Sequence, residues 1–271
     1  MTGRLVLAAA LGMAALPLAQ THVVFRDGTA ESLFRTSRNA IGGEGTVSGI
    51  QSLLIRGSAV VADDDGGPGA REVEIRILLP DAFLRIETAE GFQKRSGVSG
   101  NDLLTMIRTA EGTQEPPGSM RRAMIQAERA RMGRALLGIA ATPLRPGWLT
   151  LRSVRTAVTT TDPRTTMGTE DPTAAGTSLT AERAGQRVLE GSAQDGFFVR
   201  IFFDGGSFPG RIQYEAGRGG QVVTEFSDRR RVSGLLLPHR IVTSSGGRVL
   251  DDLTIREIQV NPRLTLADFV R

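Results

Sequence analysis

The chain has 271 residues and a mass of 29.0 kDa, long enough for one large domain or two small ones and for a sizeable buried core. Hydrophobic residues make up 40% and charged residues 23%, the composition of a folded chain and not of a disordered one. Its 33 basic and 29 acidic residues nearly balance at +4, unlike the clustered basic stripe of a nucleic-acid binder, and the absence of cysteine excludes disulfides, thiolate metal sites, cysteine nucleophiles and a lipidated N-terminal cysteine.

The N-terminus reads as an export signal in preference to an uncleaved anchor or a buried helix. Met1–Arg4 carries one positive side chain, Leu5–Leu16 is apolar, and Pro17–Gln20 resembles a cleavage region cut after Ala19. The apolar run is too short to span a bilayer comfortably, and no later stretch is long enough. The expectation is a signal peptide at 1–19 and a single periplasmic domain at 20–271, without a transmembrane segment in the mature chain.

Thr29–Ile41 reads as a helix from the spacing of Leu33, Phe34, Ser37 and Ile41, stopped by Gly42-Gly43. Ile50–Ala62 reads as a strand with a glycine at Gly57. Asp63–Ala70 is a polar turn. Arg71–Leu79 is a strand with Val73, Ile75, Ile77 and Leu79 on one face and Glu74 and Arg76 on the other. Phe83–Thr88 and Phe92–Val98 continue the antiparallel hairpins. Met120–Ala140 changes to helical period, with Met124, Ile125, Met132, Ala135, Leu136 and Ile139 on one side and Arg122, Gln126, Arg129 and Gly133 on the other. Arg155–Arg183 is rich in Thr, Gly and Pro and reads as a long loop or frayed strands. Strands then resume at Arg187–Glu190, Phe197–Asp204, Arg211–Glu215, Val222–Phe226, Leu235–Thr243 (with Pro238-His239 inside) and Leu253–Val260. About ten strands and two principal helices, without βαβ alternation, predict an α+β class that is mainly β, a large antiparallel sheet with helices lying on it.

Catalytic constellations are scarce. The chain has two histidines, and His22 falls beside the expected cleavage point. His239, in LLLPHRIV, reads as a partly exposed strand residue, without a G-x-S-x-G elbow anywhere. Asp63, Asp65 and Glu74 have the spacing of a calcium loop, but Gly67 and Pro68 stand where a ligand and the turn glycine belong. Gly43–Gly49 follows a helix and precedes a strand, the reverse of a phosphate loop. Arg121-Arg122 and Arg229–Arg231 lack interleaved aromatics and read as solvated faces. The sequence therefore predicts no enzyme, no metal site and no cofactor.

What remains is apolar. Phe197, Phe198, Phe202 and Phe203 put aromatic rings on both faces of one strand, and Met120, Met124 and Met132 give the long helix adaptable side chains. Such residues suit either a helix-on-sheet core or a lipid pocket. The layout resembles the outer-membrane lipoprotein-sorting-like families, related in fold to the carriers LolA and LolB. The residues that carry the resemblance are R-N-A-I-G-G (Arg38–Gly43), I-x-S-L-x-I-x-G (Ile50–Gly57), the strand pair Val73–Arg85, D-G-F-F-V-R-I-F-F-D (Asp195–Asp204), L-L-L-P-H-R-I (Leu235–Ile241) and I-R-E-I-Q-V-N-P (Ile255–Pro262). It departs at Asn101–Leu104, where family members often carry Gly-Trp, and Trp148 reads as a core anchor.

The resemblance implies an incomplete β-barrel whose open side is covered by helices and whose apolar cavity holds lipoprotein acyl chains or lipid. By that analogy Met120–Ala140 is a lid, and the cavity residues are Val73, Ile75, Ile77, Leu79, Met124, Ile125, Met132, Leu136, Phe197, Val199, Ile201 and Phe203. The implied function is an exported lipid or lipoprotein carrier, with a possible envelope protein partner and no nucleic acid. The alternative is a non-catalytic sensor or protein-interaction domain of the same fold with a filled core. A continuous apolar cavity of several hundred Å³ separates the two.

Overall fold

The computed structural model describes residues 23–62, 68–144, 147–154, 186–193, 196–205, 207–216 and 220–270. The expected signal segment and the Thr-rich stretch 155–183 lie outside the described residues. Strand β1 (Val24–Phe25) leads into helices α1 (Gly28–Ile41) and α2 (Glu44–Ser48). Strands β2 (Ser52–Ala62), β3 (Pro68–Leu78), β4 (Ala82–Ala89), β5 (Phe92–Ser99), β6 (Asp102–Leu103), β7 (Met106–Thr109) and β8 (Gly112–Gln114) follow. The long helix α3 (Arg121–Ala140) separates them from β9 (Thr150–Val154), β10 (Arg187–Ser192), β11 (Phe198–Asp204), β12 (Phe208–Ala216), β13 (Gly220–Val232), β14 (Leu235–Ser245) and β15 (Arg248–Val260). A short helix α4 (Ala267–Val270) ends the described chain.

The strands form one sheet in the order β1-β9-β10-β11-β12-β13-β14-β15-β2-β3-β4-β5-β7-β8, with β6 beside β5. Its pairings are antiparallel except β1 with β9. The sheet curves and does not close: among the described residues β1 and β8 are its free edges. The fold class is therefore the mainly β, open-barrel arrangement expected. The strands are longer and more numerous than periodicity suggested, because pairing with a neighbour extends a strand past its alternating core. β3 begins at Pro68, inside the predicted turn, and pairs Pro68–Ala70 with Val60–Ala62. Gly57 in β2 is required by packing, since a Cβ there would lie 2.1 Å from the Thr254 carbonyl oxygen, where β15 carries a bulge.

Helix α1 starts where Asp27 accepts from the Ala30 amide (2.8 Å), and it buries the predicted Leu33, Phe34, Ser37 and Ile41. The second Asp27 oxygen accepts from the Ser153 amide (2.9 Å), so one carboxylate caps the helix and pins β9. These two backbone donors hold its pKa below the ordinary value. The last turn of the helix carries Arg38, which is buried within the core. Its guanidinium reaches Glu44 (2.6 Å), Ser48 (2.6 Å) and the Ala141 carbonyl (3.0 Å), joining α1, α2 and the end of α3.

Helix α3 crosses the inner face of the sheet and touches β4, β5 and β6 on one arm and β12, β13 and β14 on the other. It is not the one-sided amphipathic helix expected. Met132, Gly133, Leu136, Leu137, Gly138, Ile139 and Ala140 are all buried, whereas Met124 and Ile125 are half-buried and Met120, just before the helix, is exposed. Its C-terminal half enters the space between the arms and is surrounded. Gly133, predicted on the polar side, is covered by Trp148: a Cβ there would lie 2.5 Å from the indole.

The main core lies between the inner face and helices α1 and α3. A second, small core on the outer face joins Ala82 and Leu84 to Phe269 of α4. Arg95 donates to the Phe269 carbonyl (3.0 Å) and Arg76 to that of Asp268, fastening the C-terminal segment to β3 and β5.

Candidate functional site

A cavity of about 260 Å³ lies between α3 and the inner face of the sheet and opens partly to solvent. Period-two alternation aims Ile75 and Ile77 of β3 into it, and the register sets Arg85 and Phe83 of β4 beside them. On the opposite arm Phe226 of β13 pairs with Ile241 of β14, which pairs with Leu253 of β15, so three apolar residues on adjacent strands face inward together. Ala135 and Ile139 of α3 form the roof.

The remaining lining is polar: Arg85, Arg131, Arg134, Tyr214, Thr224, Thr243 and Asp251. Arg85 is buried and makes a two-pronged contact with Asp251 (2.5 and 2.9 Å) and an ion pair with Glu87 (2.8 Å). Burial works to discharge Arg85, but Asp251 and Glu87 outweigh it and hold its pKa above the ordinary value. Glu87 shows the mirror case. Burial favours its neutral acid, yet Arg85, Lys94 and Arg131 hold its pKa below 4.5, and Arg71 donates to it at 2.9 Å. Arg131 donates to the Ser96 hydroxyl (2.9 Å) and lies 3.7 Å from Glu128. Arg134 stacks on the face of Tyr214, 3.5 Å from the ring centroid. The Thr224 and Thr243 hydroxyls are 3.3 Å apart across β13 and β14. The cavity thus has an apolar floor and roof with a charged wall.

Of the twelve residues expected to line a cavity, Ile75 and Ile77 do so. The others lie elsewhere. Val73, Met132 and Leu136 are buried in the main core, and Leu79 and Ile125 pack half-buried against it; Met124 is half-buried. Phe197, Val199, Ile201 and Phe203 fill the core on the β11 arm, where Phe197 packs on Trp148 with ring centroids 4.6 Å apart. Phe202, on the opposite face of β11, is covered by the Arg211 guanidinium at 4.0 Å. Phe198, on the same face as Phe202, is exposed, so the greasy strand is packed on its inner face and only partly covered on the other. His239 is buried rather than partly exposed, with Nδ1 3.1 Å from the Leu237 carbonyl oxygen.

Sequence reasoning passed over Arg85, Arg131 and Arg134. A signal existed for the first: Phe83, Arg85 and Glu87 alternate on one face of β4, so an arginine and a glutamate share the face that carries a core phenylalanine. For the second and third, the three-residue spacing on a helix puts both guanidinia on one side.

Among the described residues no group of three or more His, Asp or Glu could hold a metal ion, and no helix is long and apolar enough to cross a membrane. No protein-family model and no curated protein matches the sequence. Among solved structures, the chain is similar to a LolA superfamily protein from Nitrosomonas europaea, with a TM-score of 0.52 at 10% identity over 89% of this chain and 97% of that one. The chain has a LolA-like fold. A DUF1329 family protein from Desulfovibrio piger is similar to the same degree, with a TM-score of 0.50 at 10% identity over 89% of this chain and 96% of that one. The wording of the strands thus pointed to the right architecture, and at this identity the likeness concerns the fold.

Proposed function

We propose that this protein is an exported, periplasmic, non-catalytic carrier or chaperone that shelters an acyl chain of a lipid or lipoprotein in the cavity under α3. The observation that carries the reading is the placement of that cavity: it lies inside an open LolA-like sheet, with eight apolar residues around it and one helix as its roof. Moving an acyl chain into water costs about 0.8 kcal/mol per CH₂, so a carrier must cover the chain. The cavity of about 260 Å³ falls just below the roughly 300–1,000 Å³ of ligand pockets, so a long acyl chain would need α3 to shift.

The test is native mass spectrometry of the protein purified from its envelope compartment, with lipid extraction of the same sample. A co-purifying acylated species at defined stoichiometry supports the carrier. A clean apo mass, with no uptake of added lipid or lipopeptide, overturns it in favour of a protein-interaction domain. The tight packing of β11 and of the C-terminal half of α3 favours that second reading, because much of the expected cavity is filled by the chain's own side chains.

A further inference from the structure

The cavity wall carries three arginines, and they are not equivalent. Arg85 is neutralised by Asp251 and Glu87. Arg131 has Glu128 at 3.7 Å and the Ser96 hydroxyl. Among the described residues no carboxylate lies within 4.0 Å of Arg134; Tyr214 offers it a ring face and Glu128 attracts it only from further away. Its side chain is half-buried beside Ala135 and Phe226, which line the same space.

We propose that Arg134 is the headgroup anchor of this cavity, and that the ligand is a single-chain amphiphile ending in an anionic oxygen group, a carboxylate or a phosphate. The inference rests on the carrier reading and specifies its cargo. A guanidinium offers a planar fork of donors that matches both headgroups, and it remains charged while half-buried. Burial has pushed the Arg134 pKa down to about 10, so the cation is under-solvated and still protonated at neutral pH. An arriving anion would supply the missing counter-charge, while the alkyl chain lies along Ile75, Ile77 and Ile139. Tyr214 holds the guanidinium in place by stacking and by side-chain hydrogen bonding, and brings no carboxylate counter-charge. Helix α3 therefore brings roof and anchor on one element, with Ala135 next to Arg134 and Ile139 about one turn further on.

The test compares four twelve-carbon probes by calorimetric titration below their micelle concentrations: laurate, dodecyl phosphate, dodecanol and dodecyltrimethylammonium. The expected order is anionic over neutral by roughly tenfold, the scale of a charge-assisted hydrogen bond, with the cation weakest. Whether laurate or dodecyl phosphate binds tighter identifies the headgroup. In Arg134→Gln the anionic preference should vanish while dodecanol binding persists, and Arg134→Lys should restore part of it. Equal binding of laurate and dodecanol to the unaltered protein overturns the anchor and leaves the carrier reading standing. Binding of none of the four overturns both. Loss of dodecanol binding in a folded Arg134→Gln chain would mean that the residue shapes the cavity and does not select the headgroup, which also overturns the anchor.

Discussion

Replacing Arg85 with methionine tests whether the charged cavity wall is a coupled unit. Arg85 and Asp251 are 6% and 17% exposed, so neither charge is well screened by water. Methionine matches the length of the arginine stem but leaves Asp251 facing no cation among the described residues, while Glu87 keeps Arg71 at 2.9 Å. Breaking one side of a buried pair costs about 3–5 kcal/mol, because the other charge stays desolvated. For a chain of this size each kcal/mol shifts the melting temperature by roughly 2–4 °C, giving a drop of roughly 6–20 °C. The double variant Arg85→Met/Asp251→Leu removes both charges and should recover most of that loss, since an apolar replacement of a buried pair is often neutral. Thermal unfolding followed by circular dichroism measures all four corners of the cycle. A double variant no more stable than Arg85→Met alone would refute the argument, as would an Arg85→Met chain that melts with the unaltered protein.

Other outcomes follow from the same geometry. In Gly138→Ala the new Cβ would lie 2.0–2.5 Å from the Phe226 ring, so an overpacking cost of about 1–3 kcal/mol should exceed the gain in helix propensity of about 1 kcal/mol, lowering the melting temperature and pushing Phe226 toward the cavity. Ala135→Phe should fill the cavity, abolishing uptake of a lipid probe while leaving the fold at least as stable in a thermal melt. Glu87 has a folded pKa below its ordinary 4.5, so its contribution is present above pH 4.5 and is lost as pH falls through the folded value; Glu87→Gln should flatten stability against pH in that acid window, measured by urea unfolding. Trp148 is the lone tryptophan and packs against Gly133 of α3, so a shift of that helix on ligand uptake should move its emission to the red; an unchanged spectrum at saturation would place uptake without helix movement.

Strand alternation was legible wherever one face is core and the other solvent. Val73, Ile75 and Ile77 against Glu74 and Arg76 is the clearest case, and α1 announced itself by spacing and by its glycine stop. The fold came from such patterns together. Strands β6, β7 and β8 were not legible, because they are two to four residues long and lie at a sheet edge with little to bury. Helix α2 is only five residues and carries one buried side chain, Val47. The helix α3 misled for a different reason. A wheel assumes one buried side, but this helix is enclosed at its C-terminal half and half-exposed at its start, so burial varies along the axis instead of around it. The site suffered most. Cavity residues and filled-core residues have the same inward alternation on β3 and β11, and only the distance to the opposite wall decides which of them has a neighbour. That distance depends on how the two arms of the sheet curve around α3, which no single segment encodes.

The position of β15 also constrains how the molecule can be made. This strand, Arg248–Val260, lies in the middle of the sheet between β14 and β2, and it pairs with residues about two hundred positions earlier. Among the described residues the two arms are joined in the sheet only through it. Until residue 260 is available, the first hairpins and the later meander are separate half-sheets with β2 and β14 as open edges, and no cavity exists between them. Closing so long a loop is slow, because its entropy is lost before its contacts form. Among the sheet's long strands, the one furthest along the chain is thus the one that converts two ribbons into a container.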